Sequence, residues 1–168
     1  MTDKRNKLLI RALAFLVFTA ILVLIDQWTK HLAVLHLKDS EPFVIWKNVL
    51  EFSYLENRGA AFGTMQGMRI FFLIFAPAVS IVLFYFALRI SDRKKMLPMT
   101  VCFLLIVAGA LGNFIDRLRL GYVVDFIYFR LIDFPVFNVA DIYVTCSCIV
   151  LILLILFKYK EEDFGKRV

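Results

Sequence analysis

Acidic and amide side chains recur in this chain at the ends of long apolar runs, where they stand out from their surroundings. Asp26 closes the first apolar run, and Asp141 lies about one turn inside the last one. Asp125 lies within a short apolar stretch, residues 122–129. The other polar side chains in comparable places are Asn57, Asn113, Asp116, Arg117 and Asn138. Because burying a charge is costly, such groups are usually paired, hydrated or functional.

Asp125 and Asp141 indicate a specific reaction if the fold brings them together in a poorly hydrated place. Two carboxylates about 3 Å apart cannot both ionise cheaply, so such a pair shares one proton. The ionised member can take a proton from water while the protonated member polarises a carbonyl group. This chemistry hydrolyses peptide bonds without a nucleophilic side chain or a metal. The pair therefore predicts an aspartic protease.

Each polar group also has a purely structural explanation, which the sequence leaves open. The alternatives are a helix cap at Asp141, an i,i+4 ion pair between Asp26 and Lys30, a local ion pair between Asp116 and Arg117, and a loop turn at Asn57-Arg58-Gly59 with the glycine at positive φ. Any one of these roles is reasonable by itself. Their clustering at one face of a membrane favours a functional site.

Composition and run length predict that membrane-spanning helices carry these residues. Apolar residues make up 61% of the chain, 18 residues are Phe, and the mean hydropathy is +0.79, which sets the chain apart from soluble domains. A helix needs about 20 apolar residues to cross the hydrocarbon layer. Four runs have this length, at about residues 8–28, 70–88, 96–115 and 137–157. The predicted fold class is an all-α membrane protein with four transmembrane helices.

Basic residues are distributed unevenly over the connections between these runs. Lys and Arg concentrate in the N-terminal segment, in residues 89–95 and in the tail after residue 157, whereas the two longer connections on the other side hold fewer. The positive-inside rule then places both termini in the cytoplasm and the polar cluster near the outer face. The net charge of +6 is thus an orientation signal, and no nucleic-acid partner is expected.

The outer connections carry the remaining predicted structure. The first, about residues 29–69, is too long for a turn, and its segments 43–46 and 50–54 have the composition of two short strands. They predict a small extracytoplasmic β-sheet that rests on the membrane surface. The stretch 122–129 is too short to span the bilayer and predicts an interfacial segment. We expect a single membrane-embedded domain over residues 1–168.

Other chemistries have weaker support. His31 and His36 do not share a helix face as a metal-binding pair would, and Cys146-Ser147-Cys148 lacks the spacing of a zinc or thioredoxin-type site, so neither metal nor cofactor is expected. A proton-coupled transporter is an alternative, but it predicts polar residues throughout the bilayer, and the inner halves of the runs are nearly all apolar. A scaffold protein is a further alternative, and it leaves the polar cluster unexplained.

Five ordered motifs resemble those of the bacterial lipoprotein signal peptidases, also called signal peptidase II. They are Asp26-Gln27-Trp28-Thr29-Lys30, Asn57-Arg58-Gly59-Ala60-Ala61-Phe62, Gly109-Ala110-Leu111-Gly112-Asn113-Phe114-Ile115-Asp116-Arg117, Val123-Val124-Asp125-Phe126 and Phe137-Asn138-Val139-Ala140-Asp141. They run from the first apolar run to the last. One departure is Ala108, where the family often has a glycine before Gly109.

The resemblance implies an intramembrane aspartic endopeptidase of the bacterial cytoplasmic membrane. It implies cleavage of diacylglyceryl-modified prolipoproteins just before the lipidated cysteine, with Asp125 and Asp141 as the catalytic pair. The implied supporting residues are Asp26, Lys30, Asn57, Gly59, Gly109, Asn113, Asp116, Arg117, Asn138 and Ala140. Globomycin-type inhibitors and membrane lipids are the other expected partners, and a monomer is expected.

Overall fold

The structure is a computed structural model that describes residues 2–59, 68–90 and 94–165. Part of the expected outer connection, residues 60–67, lies outside the described residues, and so does the end of the second motif, Ala60–Phe62. The basic residues Lys166 and Arg167 of the tail also lie outside them.

Four long helices dominate the fold. They are α1 (Thr2–Leu37), α2 (Arg69–Ile90), α3 (Leu97–Arg119) and α4 (Val139–Phe157), and a short α5 (Glu161–Gly165) follows. All four long helices are apolar enough over 18 or more residues to cross a membrane. The four expected spans are therefore confirmed. α1 continues to Leu37, beyond the expected span end at Trp28, and so projects past the apolar run.

The chain also forms a three-stranded antiparallel sheet. Two of its strands come from the connection between α1 and α2, and the third comes from the connection between α3 and α4. Its strands are β1 (Phe43–Trp46), β2 (Leu50–Asn57) and β3 (Val123–Tyr128), arranged in the order β1-β2-β3. The small sheet was predicted, but β3 was assigned only as an interfacial segment. β3 pairs with β2, with Leu55 opposite Asp125 and Asn57 opposite Val123. Its first four residues, 123–126, are all buried, and Asp125 is the only polar one among them, so the sequence lacks the apolar-polar alternation of a half-exposed strand.

α3 is the central helix of the bundle, because it packs against α1, α2 and α4. Its glycines allow this close approach. A Cβ on Gly109 would collide with the Ala140 carbonyl oxygen and the Val144 side chain of α4. A Cβ on Gly112 would collide with the Asp26 carboxylate of α1. Small residues at such contacts are typical of helices packed within a bilayer.

The surfaces of the helices that face away from the bundle are apolar, and the sheet packs against the C-terminal end of α1. Side chains such as Ile70 and Phe157 are largely exposed, as expected for surfaces in contact with lipid. Ala33 and Leu37 of α1 form one buried cluster with Val124 and Phe126 of β3. This cluster holds β3 against α1, and it thereby places the intervening residue Asp125 on the opposite side of the strand.

Candidate active site

The Asp125 carboxyl group lies in the interior, with only 1% of the residue exposed. Its Oδ1 accepts a hydrogen bond from Asn138 Nδ2 at 2.6 Å, and its Oδ2 accepts one from Asn57 Nδ2 at 2.9 Å. Burial raises the pKa of Asp125 to about 7, with a further contribution from the negative charge of Asp141. Asp125 can therefore hold a proton close to neutral pH.

Asp141 lies in the first turn of α4, where its carboxylate closes a capping box with Asn138. The Asp141 backbone NH donates to Asn138 Oδ1 at 3.0 Å, and the Asn138 backbone NH donates to Asp141 Oδ2 at 3.1 Å. The other oxygen, Oδ1, accepts from Asn113 Nδ2 at 2.8 Å. The capping role raised as a structural alternative is thus present, and it also fixes the direction of the carboxylate.

Asn138 connects the two aspartates. Its Nδ2 donates to Asp125, while its Oδ1 and backbone NH are engaged by Asp141. The same Nδ2 also lies 3.1 Å from Asn113 Oδ1. A fully buried side chain therefore holds β3 and α4 at one relative position. The structure brings Asp125 and Asp141 into one network although they lie on different elements.

Asn113 of α3 joins this pair to a second cluster of charges. Its Oδ1 accepts from Lys30 Nζ at 2.8 Å, and its Nδ2 donates to Asp141. Because a lysine ammonium can only donate, the Asn113 amide must turn its oxygen to Lys30 and its nitrogen to Asp141. Lys30 thereby determines which atom of Asn113 faces the Asp141 carboxylate.

Lys30 is only 3% exposed, and its ammonium group lies between two carboxylates. Its Nζ lies 2.9 Å from Asp26 Oδ2 and 3.0 Å from Asp116 Oδ2. Each acid also holds a second element, since Asp26 accepts from the Ala140 backbone NH at 2.9 Å and Asp116 from the Val124 NH at 3.1 Å. This cluster fastens the start of α4 and the start of β3 to α1 and α3.

Asp116 and Arg117 do not form the local ion pair considered as an alternative, because Asp116 pairs with Lys30 instead. Arg117 donates to the Gly59 carbonyl oxygen at 2.8 Å, and its guanidinium lies 4.4 Å from the centre of the Phe72 ring. On a helix, neighbouring residues point about 100° apart, so adjacent charges are poorly placed to pair.

The turn at residues 57–59 also differs from the expected one. The Gly59 NH donates to Asn57 Oδ1 at 2.9 Å, which is the local side-chain turn typical of asparagine. Among the described residues the glycine at positive φ is Gly121, not Gly59. Gly59 contributes through its backbone NH and carbonyl groups, which orient Asn57 and receive Arg117.

Two residues of the network were not predicted as site residues. Gln27 Nε2 donates to Asp116 Oδ1 at 2.8 Å and to the Gly112 carbonyl oxygen at 3.2 Å, so it helps to hold α1 on α3. Gly112 leaves room for the Asp26 carboxylate. Both lie within the motifs already quoted. The available signals were the position of Gln27 beside Asp26 and the spacing of Gly112 three residues after Gly109.

Comparison with known proteins agrees with this arrangement. Residues 18–157 match the model of the family described as signal peptidase (SPase) II. The chain belongs to the signal peptidase II family. As a signal peptidase it is a protease, and its four apolar helices make it a multi-pass membrane protein.

Curated relatives of this signal peptidase are similar over most of their length. The lipoprotein signal peptidase of Streptococcus thermophilus (strain CNRZ 1066) is 42% identical over 147 residues, covering 86% of this chain and 92% of the relative. That of Caldanaerobacter subterraneus subsp. tengcongensis is 41% identical over 144 residues, covering 85% and 96%. That of Enterococcus faecalis is 37% identical over 152 residues, covering 90% and 93%.

Solved structures share the fold. A bacterial membrane enzyme determined at 2.3 Å resolution by the in meso method is 35% identical, with a TM-score of 0.76 and coverage of 92% of this chain and 94% of the other. A second, at 1.9 Å resolution, is 36% identical with a TM-score of 0.72. The four-helix arrangement with its small sheet is therefore the fold of this signal peptidase.

Proposed function

We propose that this signal peptidase is an intramembrane aspartic endopeptidase with Asp125 and Asp141 as its catalytic pair. Its substrates are prolipoproteins whose cysteine carries a diacylglyceryl group, and it cuts just before that cysteine. The relatives named above are lipoprotein signal peptidases, which supports this substrate class. The observation that carries the mechanism is that one buried residue, Asn138, contacts both carboxylates: its side-chain amide donates to Asp125 Oδ1, and its backbone NH donates to Asp141 Oδ2.

In the first step the two carboxyl groups act on a water molecule and on the scissile carbonyl. Asp141 takes a proton from the water molecule while the water oxygen attacks the carbonyl carbon. At the same time protonated Asp125 gives its proton to the carbonyl oxygen. The raised pKa of Asp125 suits this role, because a pKa of about 7 leaves the acid largely protonated at slightly acidic pH and about half protonated at neutral pH. The product is a neutral tetrahedral diol.

In the second step the diol collapses and the peptide bond breaks. Asp141 returns its proton to the departing nitrogen, and Asp125 takes a proton from one hydroxyl of the diol. The products are the carboxyl group of the signal peptide and the free amino group of the lipidated cysteine. The pair ends in its starting state, with one shared proton.

The amide side chains around the pair prepare it for these steps. Asn57 and Asn113 each hold one carboxyl oxygen of the pair, which leaves fewer orientations to be searched during the reaction. Arg117 lies on the Phe72 ring and donates to Gly59, beside the turn that carries Asn57. We assign these three polar residues to orienting the peptide and the lipid ester groups.

The remaining expectations belong to the same proposal. The enzyme lies in the bacterial cytoplasmic membrane with both termini in the cytoplasm and the pair near the outer face. There the pair meets a scissile bond held at the membrane surface by its lipid, so the lipid need not leave the bilayer. The chain acts as a monomer and one domain, 1–168, and binds membrane lipids and globomycin-type inhibitors.

Purified protein in detergent with a diacylglyceryl-modified prolipoprotein tests the activity. We expect release of the signal peptide and a new N-terminus at the lipidated cysteine, with cleavage inhibited by globomycin. The same prolipoprotein without its lipid is the matched control and should be cleaved far more slowly. Equal cleavage of both forms, or cleavage at another bond, would contradict the proposed specificity.

A further inference from the structure

A groove of about 480 Å³ lies between the outer end of α1 and the sheet. Its walls include Leu32, Ala33 and Leu37 of α1, Phe43 of β1, Phe52 of β2 and Phe126 of β3. Thr29, His36 and Glu41 are its polar residues, and its described lining contains no Lys or Arg. Its volume falls in the range of small-ligand sites, and its walls are mainly apolar.

The groove is separate from the catalytic pair. Successive side chains of a strand point to opposite faces. On β3, Asp125 points to Asn57 and Asn138, whereas the next residue, Phe126, lines the groove. The groove therefore lies behind the strand that carries Asp125, and the hydrolytic mechanism does not use it.

The helix wall of the groove continues the lipid-facing surface of α1. Ile25, Thr29, Leu32 and His36 follow one another at intervals of four, three and four residues, which places them on one face of the helix. Ile25 lies within the apolar span and is 41% exposed, so this face contacts lipid at that level. Lipid that contacts Ile25 meets the groove on the same face of α1.

The two tryptophans of the chain indicate the depth of the groove. Trp28 is 62% exposed on α1, one residue before the groove begins, and Trp46 is 68% exposed at the end of β1. Exposed tryptophans of membrane proteins concentrate at the boundary between hydrocarbon and headgroups. Because one tryptophan lies on α1 and the other on β1, two of the elements that form its walls, the groove opens at this boundary.

We infer that this groove binds an acyl chain of a phospholipid from the outer leaflet. The apolar walls match the chain, the polar residues match the headgroup region, and the surface is continuous with the lipid-facing side of α1. Without an occupant, the exposed Phe43 and the partly exposed Phe52 would present apolar surface to water, which is unfavourable. The bound acyl chain packs against the side of β3 that faces away from the proposed catalytic pair.

Photo-crosslinking of lipid to the full-length protein tests the inference without relying on cleavage. The protein is reconstituted in vesicles of phosphatidylethanolamine and phosphatidylglycerol that contain a trace of phosphatidylglycerol with a diazirine in one acyl chain. After irradiation, labelled positions are mapped by mass spectrometry. We expect label on Leu32, Phe43 or Phe52, which face the groove, in addition to label on the outer helix surfaces.

The substitution Leu32→Trp fills the groove and should remove the label from Phe43 and Phe52. Leu35→Trp is the matched control, since Leu35 is exposed on the same helix but does not line the groove. Label on Phe157, an exposed residue of α4, should persist in both variants and in the natural chain.

Three results would overturn the inference. The first is a natural chain with label on Phe157 but none on the groove residues, a result that does not depend on how Leu32→Trp folds. The second is groove label that Leu32→Trp and Leu35→Trp reduce equally. The third is groove label that disappears when an uncleaved prolipoprotein is added in excess, which would assign the groove to the substrate.

Discussion

At the scale of single side chains, the two aspartates are held in different ways. Asp125 is buried in a strand and receives two side-chain amides, from Asn57 and Asn138. Asp141 belongs to the first turn of a helix, where the Asn138 backbone and the Asn113 side chain bind its two oxygens. Different surroundings of two carboxyl groups are what separates an acid from a base in such pairs.

The pKa of Asp125 predicts how cleavage depends on pH. With a pKa of about 7, Asp125 is protonated below that pH and loses the proton above it. Since the proposed reaction needs this proton, the rate should fall above about pH 7, approaching about tenfold per pH unit. The measurement is kcat/KM for cleavage from pH 5 to pH 9, where the descending limb reports the pair as a unit.

Unfolding at high pH must be separated from this effect. Samples held at pH 9 and returned to pH 7 should recover full activity. A rate that rises steadily from pH 7 to pH 9 would mean that Asp125 does not act as the acid.

The substitution Asn113→Leu tests the link between Lys30 and the pair. It removes the donor to Asp141 Oδ1 and the acceptor for Lys30 Nζ at similar side-chain volume. A hydrogen bond to a charged group contributes about 1.5–3 kcal/mol, so kcat should fall roughly 10- to 100-fold with a smaller change in KM. Steady-state kinetics of the purified variant provide the measurement.

Asn48→Gly is the matched control for the loss of an amide. Asn48 is exposed in the turn between β1 and β2, and its φ of 61° suits glycine. This control should retain full activity. If Asn113→Leu also retained it, the orientation of Asn113 would have no part in catalysis.

At the scale of the elements, the helices were predictable from the sequence, and the third strand was not. Twenty-residue apolar runs are a local signal, and each of the four runs became a helix. β3 reads as a short apolar run, and its partner β2 lies far away in sequence, so no local pattern reveals the pairing. Its identification requires the long-range contacts of the fold.

The sequence indicated which residues belong to the candidate site better than it indicated which of them contact one another. The motifs include Asp125, Asp141 and the residues around them, because polar groups are conspicuous in apolar segments. That Asp116 pairs with Lys30 rather than with Arg117 depends on how α1 and α3 face each other. The contribution of Gln27 likewise depends on this contact, because its amide reaches acceptors on α3.

The substitution Gly112→Ala tests the contact of α1 with α3. Helix propensity alone predicts that this change stabilises the protein by about 1 kcal/mol. The new Cβ would instead meet Asp26 Oδ2 at 2.5 Å, so the carboxylate that holds Lys30 and Ala140 must move. We therefore expect a lower thermal midpoint in detergent together with reduced cleavage. A raised thermal midpoint would show that the Asp26 carboxylate can move aside without destabilising the protein.

At the scale of the whole molecule, topology determines which face carries the chemistry. The sheet and the proposed catalytic pair lie together at the C-terminal ends of α1 and α3 and at the start of α4. Lys94 and Lys95 precede α3 at the opposite end, where Lys95 forms an ion pair with Asp163 of the C-terminal segment. From the positive-inside rule we propose that this basic end faces the cytoplasm.

Cysteine labelling tests this orientation. In a background without the native Cys102, Cys146 and Cys148, a single cysteine replaces either Ser40, after α1, or Lys94, before α3. A membrane-impermeant maleimide added to intact cells, or to spheroplasts if an outer membrane is present, should label the first variant only. Permeabilised cells are the control, in which both should react. Labelling of Lys94→Cys in intact cells would contradict the proposed orientation.

The most direct test of the central claim is cleavage by the single variants Asp125→Asn and Asp141→Asn. Each replaces a carboxyl group by an amide of the same shape, so the protein should still accumulate in the membrane. Purified to equal amounts and given a diacylglyceryl-modified prolipoprotein, both variants should release no signal peptide, whereas Asn48→Gly should cleave at the natural rate. Complete cleavage by either aspartate variant would contradict an aspartate pair as the catalytic centre.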